Sequence, residues 1–258
     1  MKILFVGDVV GGPGRTALLE WLPGYREAAA VDFVVANGEN AANGAGITTK
    51  IARTLLAGGV DVLTTGNHVW RQRDVFAFLA ADERIVRPAN YPTRAPGRGL
   101  TVRPAADGTP VAVIDLAGNL YMESGLSPFR VVDQLVGEAH ARADTVLVDL
   151  HAEATSEKVT MGHYLDGRVT AVVGTHTHVQ TSDARVLPGG TAYVTDVGMT
   201  GPLESVIGVR TDIIVQRFLT EMPQRFEVAD EGPVRLDAVL ISTEGGRATA
   251  IETIDLVL

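Results

Sequence analysis

Short apolar runs alternate with helix-like segments through the first two-thirds of the chain. Lys2–Gly7 is the first run, closed by the polar and glycine-rich stretch Asp8–Gly14. Thr16–Ala30 carries a helical pattern that Pro23 threatens to kink or split. Asp32–Ala36 is the second run, and Thr48–Ala57 the next helical pattern, with Gly58-Gly59 as its stop. Asp61–Thr65 is a third run. Thr145–Leu150 and Thr170–Gly174 repeat the form, separated by a helix expected near Glu153–Gly162. Near-continuous apolar strands alternating with helices indicate a largely parallel sheet covered on both faces.

The C-terminal part has a different rhythm. Val234–Thr243 and Arg247–Val257 read as two strands joined by a hairpin at Glu244-Gly245-Gly246. Leu100–Pro104 and Val111–Leu116 read as a second pair around Asp107-Gly108. The expected fold class is therefore α/β, with two packed sheets and helices outside. No linker, repeat or low-complexity tract interrupts the pattern, so residues 1–258 are read as one domain.

Polar residues collect where the apolar runs end. The first ends in Gly7-Asp8, the second in Asn37-Gly38-Glu39-Asn40, the third in Gly66-Asn67-His68. Asp149-Leu150-His151 and Gly174-Thr175-His176-Thr177-His178 follow. Open α/β sheets bind ligands at the carboxyl ends of their strands. Five such loops would bring Asp8, Glu39, Asn40, Asn67, His68, His151, His176 and His178 to one rim. Four of the six histidines lie in these loops. His140 and His163 fall in or beside helical patterns and are read as structural. In extended chain, residues two apart point the same way, roughly 7 Å apart, so His176 and His178 are expected to face one metal cluster.

The chain has no cysteine, which excludes disulfides, thiolate metal sites and a cysteine nucleophile. It also fits a reducing, cytoplasmic setting. The Asp, Glu, Asn and His set suits manganese, iron, zinc, nickel or cobalt. Seven candidates (Asp8, Glu39, Asn40, Asn67, His151, His176, His178) exceed the needs of one ion and suit two sharing a carboxylate. The net charge of −9 argues against long nucleic acid as a partner. No apolar run approaches the ~18 residues of a membrane span. Met1–Val6 could imitate a signal peptide, but Asp8 cuts its apolar stretch short.

Gly7-Asp8, Gly66-Asn67-His68, His151 and Gly174-Thr175-His176-Thr177-His178 resemble the ordered motifs of calcineurin-like metallophosphoesterases. Asn37–Gly44 and Thr195-Asp196-Val197-Gly198-Met199-Thr200-Gly201 are similar to its YmdB-like bacterial branch of cyclic-nucleotide phosphodiesterases. The likeness runs from Lys2 to about Gly208. It departs from the wider superfamily at Val10, where a histidine is usual, and at Gly38-Glu39-Asn40, where Gly-Asp is usual.

The resemblance implies an α/β/β/α sandwich of two mixed sheets with flanking helices. It implies Asp8, Glu39, Asn40 and His178 around one metal, and Glu39, Asn67, His151 and His176 around the other, with Glu39 bridging. The expected cofactors are two divalent transition-metal ions, iron or manganese first, with zinc, nickel or cobalt as alternatives. The expected reaction is hydrolysis of small phosphodiesters, 2′,3′-cyclic and also 3′,5′-cyclic nucleotides, by a metal-bridging hydroxide. His68 is the expected proton donor to the leaving group. Two divalent ions, Asp8, Glu39 and a hydroxide sum to about +1, which suits a diester monoanion. A broader phosphatase or nuclease, and a non-catalytic metal-stabilised regulatory protein, are the alternatives. Self-association is left open.

Several residues carry blander readings. Gly11-Gly12-Pro13-Gly14 lacks the spacing of a dinucleotide fingerprint and reads as a loop ahead of a helix. Trp70 reads as packing, and Met161 and Met199 as core. Glu153, Ser156, Glu157 and Lys158 read as a helix start. Asp196 either orients a metal-bound histidine or holds a turn.

Overall fold

A computed structural model describes residues 1–122 and 125–258. Among the described residues the chain forms thirteen strands and six helices. One sheet contains β1 (Lys2–Val6), β2 (Asp8–Val9), β3 (Phe33–Asn37), β4 (Val62–Thr64), β11 (Met199–Pro202), β12 (Val234–Glu244) and β13 (Arg247–Val257). The other contains β5 (Leu100–Pro104), β6 (Pro110–Ala117), β7 (Thr145–His151), β8 (Ala171–Thr175), β9 (Arg185–Val186) and β10 (Ala192–Val194). Both are mixed. β1 runs parallel to β3 and antiparallel to β12, whereas β6, β7 and β8 run parallel to one another and β5 is antiparallel to β6.

The central strands β1, β3 and β8 are largely apolar because both of their faces are covered. In β1, Ile3 and Phe5 enter the layer between the sheets, while Leu4 and Val6 enter the outer core. In β6, Val111 and Val113 face inward, while Ala112, Ile114 and Leu116 face out. This is the period of two expected of a pleated strand. The outer face of the first sheet is covered by α1 (Gly11–Ala28), α2 (Thr49–Ala57) and α3 (Val75–Ala81). The outer face of the second is covered by α4 (Pro128–His140) and α5 (Thr155–Tyr164). The resulting order is helices, sheet, sheet, helices, as the resemblance implies.

Three local features differ from the sequence reading. α1 begins at Gly11, so the glycines taken for a loop form its first turn. Gly14 lies against Thr200, and a Cβ there would fall on the Thr200 carbonyl. α1 also runs unbroken through Pro23. Pro23 sits on the exposed face, where water can satisfy the carbonyl it frees. Trp21 and Tyr25 stack across it with centroids 4.3 Å apart. α6 (Thr211–Thr220) has no counterpart in the sequence reading and buries only Ile214 along its length. Among the described residues no helix is long and apolar enough to cross a membrane.

Candidate active site

The strand ends converge as expected. Asp8 opens β2, Asn37 closes β3, His151 closes β7, and Thr175 closes β8. Glu39, Asn40, Asn67, His68, His176 and His178 lie in the loops just beyond such ends. Glu39 and His151 are fully buried, Asp8 likewise, and Asn40 nearly so.

Four acceptor atoms crowd one point. His151 Nε2 lies 3.0 Å from Glu39 Oε1, 3.1 Å from Asn67 Oδ1 and 3.0 Å from His176 Nδ1. Glu39, His151 and His176 each offer a ligand atom within 4.8 Å of the others. Nitrogen and oxygen lone pairs that face each other so closely need a cation between them, and one proton serves only part of the set. The donor chemistry therefore fits a divalent metal.

A second group lies beside the first. His178 Nε2 is 3.7 Å from Asp8 Oδ1 and 3.0 Å from Asn40 Nδ2. Asn40 Nδ2 also faces Asp8 Oδ1 at 3.5 Å and Glu39 Oε1 at 3.3 Å. Its Oδ1 instead meets His68 Nδ1 at 2.8 Å. In this orientation Asn40 presents a donor to the acidic group, and ligation through Oδ1 would require the amide to turn over.

The ring orientations are set from outside. Thr175 Oγ1 donates to Asp149 at 2.8 Å and meets His151 Nδ1 at 2.9 Å. This pattern makes Nδ1 the protonated nitrogen and turns the Nε2 lone pair to the cluster. His176 turns Nδ1 to the cluster and Nε2 toward Glu153, 3.1 Å away. His178 directs Nδ1 at the Ile207 carbonyl, 2.9 Å away, leaving Nε2 for the site.

One expectation is corrected. His176 and His178 are not in extended chain. Their φ angles are +102° and +64°, in the left-handed region. The His176 amide donates to Asp8 Oδ2 at 3.0 Å and the Thr177 amide to Asp196 Oδ2 at 3.1 Å, and these bonds bend the turn. Both rings still reach the cluster, by a strained route of the kind found at functional sites.

Gly66 is required by close approach. A Cβ there would overlap Glu39 Oε2 and the His151 ring. The absent side chain lets the Asn67-His68 loop lie directly on the buried carboxylate, where the His68 amide donates to Glu39 Oε2 at 3.1 Å.

Several contributors were not assigned from sequence. Asp149, Asn37 and Thr64 form a buried bridge between the sheets, with Asn37 Nδ2 3.2 Å and Thr64 Oγ1 2.6 Å from Asp149 Oδ2. The signal was a carboxylate inside the apolar strand Thr145–His151. Lys158 and Asp196 form a buried ion pair at 2.6 Å, which the helix-start reading of Lys158 did not foresee. Trp70 packs on Phe76 and Tyr91, and Met161 and Met199 are buried, as expected. His140 bonds the Arg168 carbonyl and His163 is exposed on α5, away from the cluster.

The electrostatics follow from burial. Burial pushes Asp8 above the ordinary Asp range, and Glu39 and Asp196 add to this against the pull of His178 and His151. Burial also opposes charge on Glu39, but His151 and His68 hold it well below the usual carboxylate range. Burial disfavours a charged His151, yet Glu39, Asp8 and Asp149 raise it to about 9. The metal-free protein at neutral pH thus holds an ion pair between Glu39 and protonated His151. That stabilisation is fully present below the ordinary His value and is lost as pH rises through about 9. A metal competes with the proton on Nε2. Metal uptake at pH 7 is therefore expected to release about one proton, with affinity rising up to ~10-fold per pH unit. Calorimetric titrations in buffers of different ionisation enthalpy measure this directly, and uptake without proton release would contradict the assignment.

Two mixed sheets flanked by helices, with acidic and imidazole side chains gathered at their strand ends, are the architecture of the metallophosphoesterase type. The chain belongs to the YmdB-like protein family, whose model matches residues 4–254. It is 46% identical over 252 residues to the 2′,3′-cyclic-nucleotide 2′-phosphodiesterase of Bacillus subtilis (strain 168), covering 98% of this chain and 95% of that protein. A solved structure of a hypothetical protein from Thermus thermophilus superposes with a TM-score of 0.93 at 44% identity, covering 100% of this chain and 99% of the other. A structure described as a novel phosphatase from Mycoplasma pneumoniae has a TM-score of 0.91 at 33% identity, covering 100% and 93%.

Proposed function

We propose that this chain is a phosphoric diester hydrolase acting on 2′,3′-cyclic nucleotides, with 3′,5′-cyclic nucleotides as further substrates. The observation that carries the reading is the convergence of Glu39, Asn67, His151 and His176 on one point, beside Asp8, Asn40 and His178. Likeness to the Bacillus subtilis diesterase supports the substrate class. Glu39, Asn67, His151 and His176 would hold one divalent ion. Asp8, His178 and the shared Glu39 would hold the other, with Asn40 joining them through Oδ1 once its amide turned over. When bound, such a pair supplies Lewis acidity toward phosphoryl oxygens and lowers the pKa of water.

The chain's own residues supply orientation and a proton. With Asn67 Oδ1 turned to the cluster, its Nδ2 would be left to donate to a nonbridging oxygen of the substrate. With Asn40 in its present orientation, His68 Nδ1 meets Asn40 Oδ1 at 2.8 Å, and the His68 side chain is 28% exposed. Its Nε2 has no protein partner among the described residues, so it is the atom placed to protonate the leaving alkoxide. Burial pushes His68 below the ordinary His value, against the pull of Glu39, and so loosens its proton. The inter-sheet apolar layer shared by β1, β3, β6 and β8 supports reading residues 1–258 as one domain.

The test is product release from 2′,3′-cyclic AMP by purified protein with Mn²⁺, beside a chelated sample. 3′,5′-cyclic AMP, a phosphomonoester and a single-stranded oligonucleotide complete the panel. Chelator-sensitive turnover of the cyclic diesters is the expected result. Turnover confined to the monoester or the oligonucleotide would replace this reading with a phosphatase or nuclease. Silence on every substrate, with two metals bound, would point to the regulatory alternative.

A further inference from the structure

The turn that presents two of the three clustered histidines is held from below. His176 and His178 both occupy the left-handed region, at φ +102° and +64°. A non-glycine residue in this region is strained and persists only where its surroundings fix it. The residue between them, Thr177, is gripped twice by one atom. Its amide donates to Asp196 Oδ2 at 3.1 Å and its hydroxyl to the same oxygen at 2.7 Å.

Asp196 is itself locked. It is fully buried, and its other oxygen accepts the Gly198 amide at 2.9 Å. Its main chain exchanges hydrogen bonds with Thr181. Lys158 Nζ completes the set at 2.6 Å from Oδ2, with its side chain 1% exposed. The aliphatic stem of Lys158 lies across Gly174, at the end of β8 and just ahead of the turn. A buried ion pair is a weak source of stability, because desolvation offsets its attraction. Its geometric consequence is larger here. Without Lys158, the buried carboxylate at position 196 would draw in water, and this would weaken its double hold on Thr177.

Lys158 lies on α5, the helix that follows His151. Glu153, just ahead of that helix, faces His176 Nε2. The segment after one cluster histidine therefore braces the turn that carries two more.

We infer that Lys158 and Asp196 are positioning residues that hold the His176-Thr177-His178 turn in its strained form and so fix the separation of its two imidazole donors. The inference rests on the two-metal reading of the site. Neither residue touches the cluster atoms, and both act through Thr177.

The experiment compares wild type, Lys158→Met and Thr177→Val. Met keeps the stem of Lys158 and removes its charge. Val keeps the shape of Thr177 and its amide bond while removing the hydroxyl contact with Asp196. Each protein is titrated with Mn²⁺, its metal content is measured after dialysis, and its electron paramagnetic resonance spectrum is recorded. The thermal midpoint of the metal-free form reports folding. Wild type is expected to bind two ions with the spectrum of a coupled pair. Lys158→Met is expected to fold and to bind at least one ion about 10–100-fold more weakly, with the coupled signal lost. Thr177→Val is expected to weaken binding about 10-fold at an unchanged thermal midpoint. Wild-type affinity and a coupled signal in a folded Lys158→Met protein would overturn the inference. If Lys158→Met does not fold, the Thr177→Val protein decides, and wild-type binding there overturns it. A wild type that takes up no second ion would instead defeat the two-metal reading itself, and the inference would fall with it.

Discussion

Glu39→Gln is expected to empty the site. Gln preserves the shape and one acceptor but removes the only carboxylate that, among the described residues, faces His151, His68 and Asn40 together. Both proposed metal positions use that charge, so occupancy should fall from two ions to less than one. Turnover should fall at least ~100-fold, within the range for lost ligand support. The metal-free protein should change as well. Without Glu39, His151 loses the largest influence that raises it to about 9 against burial. Its value should drop toward or below the ordinary histidine range, and the proton released on metal uptake should disappear. The metal-free form at pH 7 should lose roughly 2–3 kcal/mol, the linkage equivalent of that shift. Metal analysis, turnover and chemical denaturation at pH 7 test the three outcomes. A Glu39→Gln protein that retains two ions and wild-type turnover would remove Glu39 from the centre of the site.

His68→Ala should separate chemistry from binding. His68 lies outside the group of facing acceptor atoms, and its ring is held at the edge through Asn40. Both metals should therefore remain, with KM changed by no more than a few-fold. Removing a general acid lowers kcat by about 10²–10⁴. The loss should depend on the leaving group. A cyclic nucleotide expels an alkoxide that needs a proton, whereas a p-nitrophenyl diester expels a stable phenolate. The variant should be strongly impaired on the first and mildly on the second. Equal loss on both substrates would indicate that His68 only shapes the pocket.

The clearest part of the fold in the sequence was the strand sequence of the two sheets. β1, β3 and β8 are apolar at nearly every position because the structure covers both of their faces, and that composition is visible without coordinates. The hairpin of β12 and β13 announced itself through Gly245-Gly246. α6 and the short strands β9 to β11 did not. α6 buries one residue, so its apolar positions trace no core-facing stripe. β9 and β10 are two and three residues long, too short for a period to register.

The candidate site was legible for a related reason. Residues at strand ends are placed by chain direction alone, so Asp8, Glu39, Asn40, Asn67, His68, His151, His176 and His178 could be assigned to one rim from their order. Ordering of that kind says nothing of what lies beneath the rim. Asp149 is tied to His151 through Thr175 because β7 runs beside β8, and to Asn37 and Thr64 because β7 packs across from β3 and β4. Lys158 meets Asp196 across 38 residues of sequence.

What the sequence determined by itself is the inventory and its direction: which strands are covered on both faces, and which polar residues stand at their carboxyl ends. Those properties are local, since they depend on the period of the pleat and the polarity of the chain. What only the tertiary structure decided is orientation. The ring faces of His151, His176 and His178, the left-handed backbone of His176 and His178 and the amide direction of Asn40 depend on hydrogen bonds between segments far apart in sequence. Packing the two sheets together brings those partners within reach.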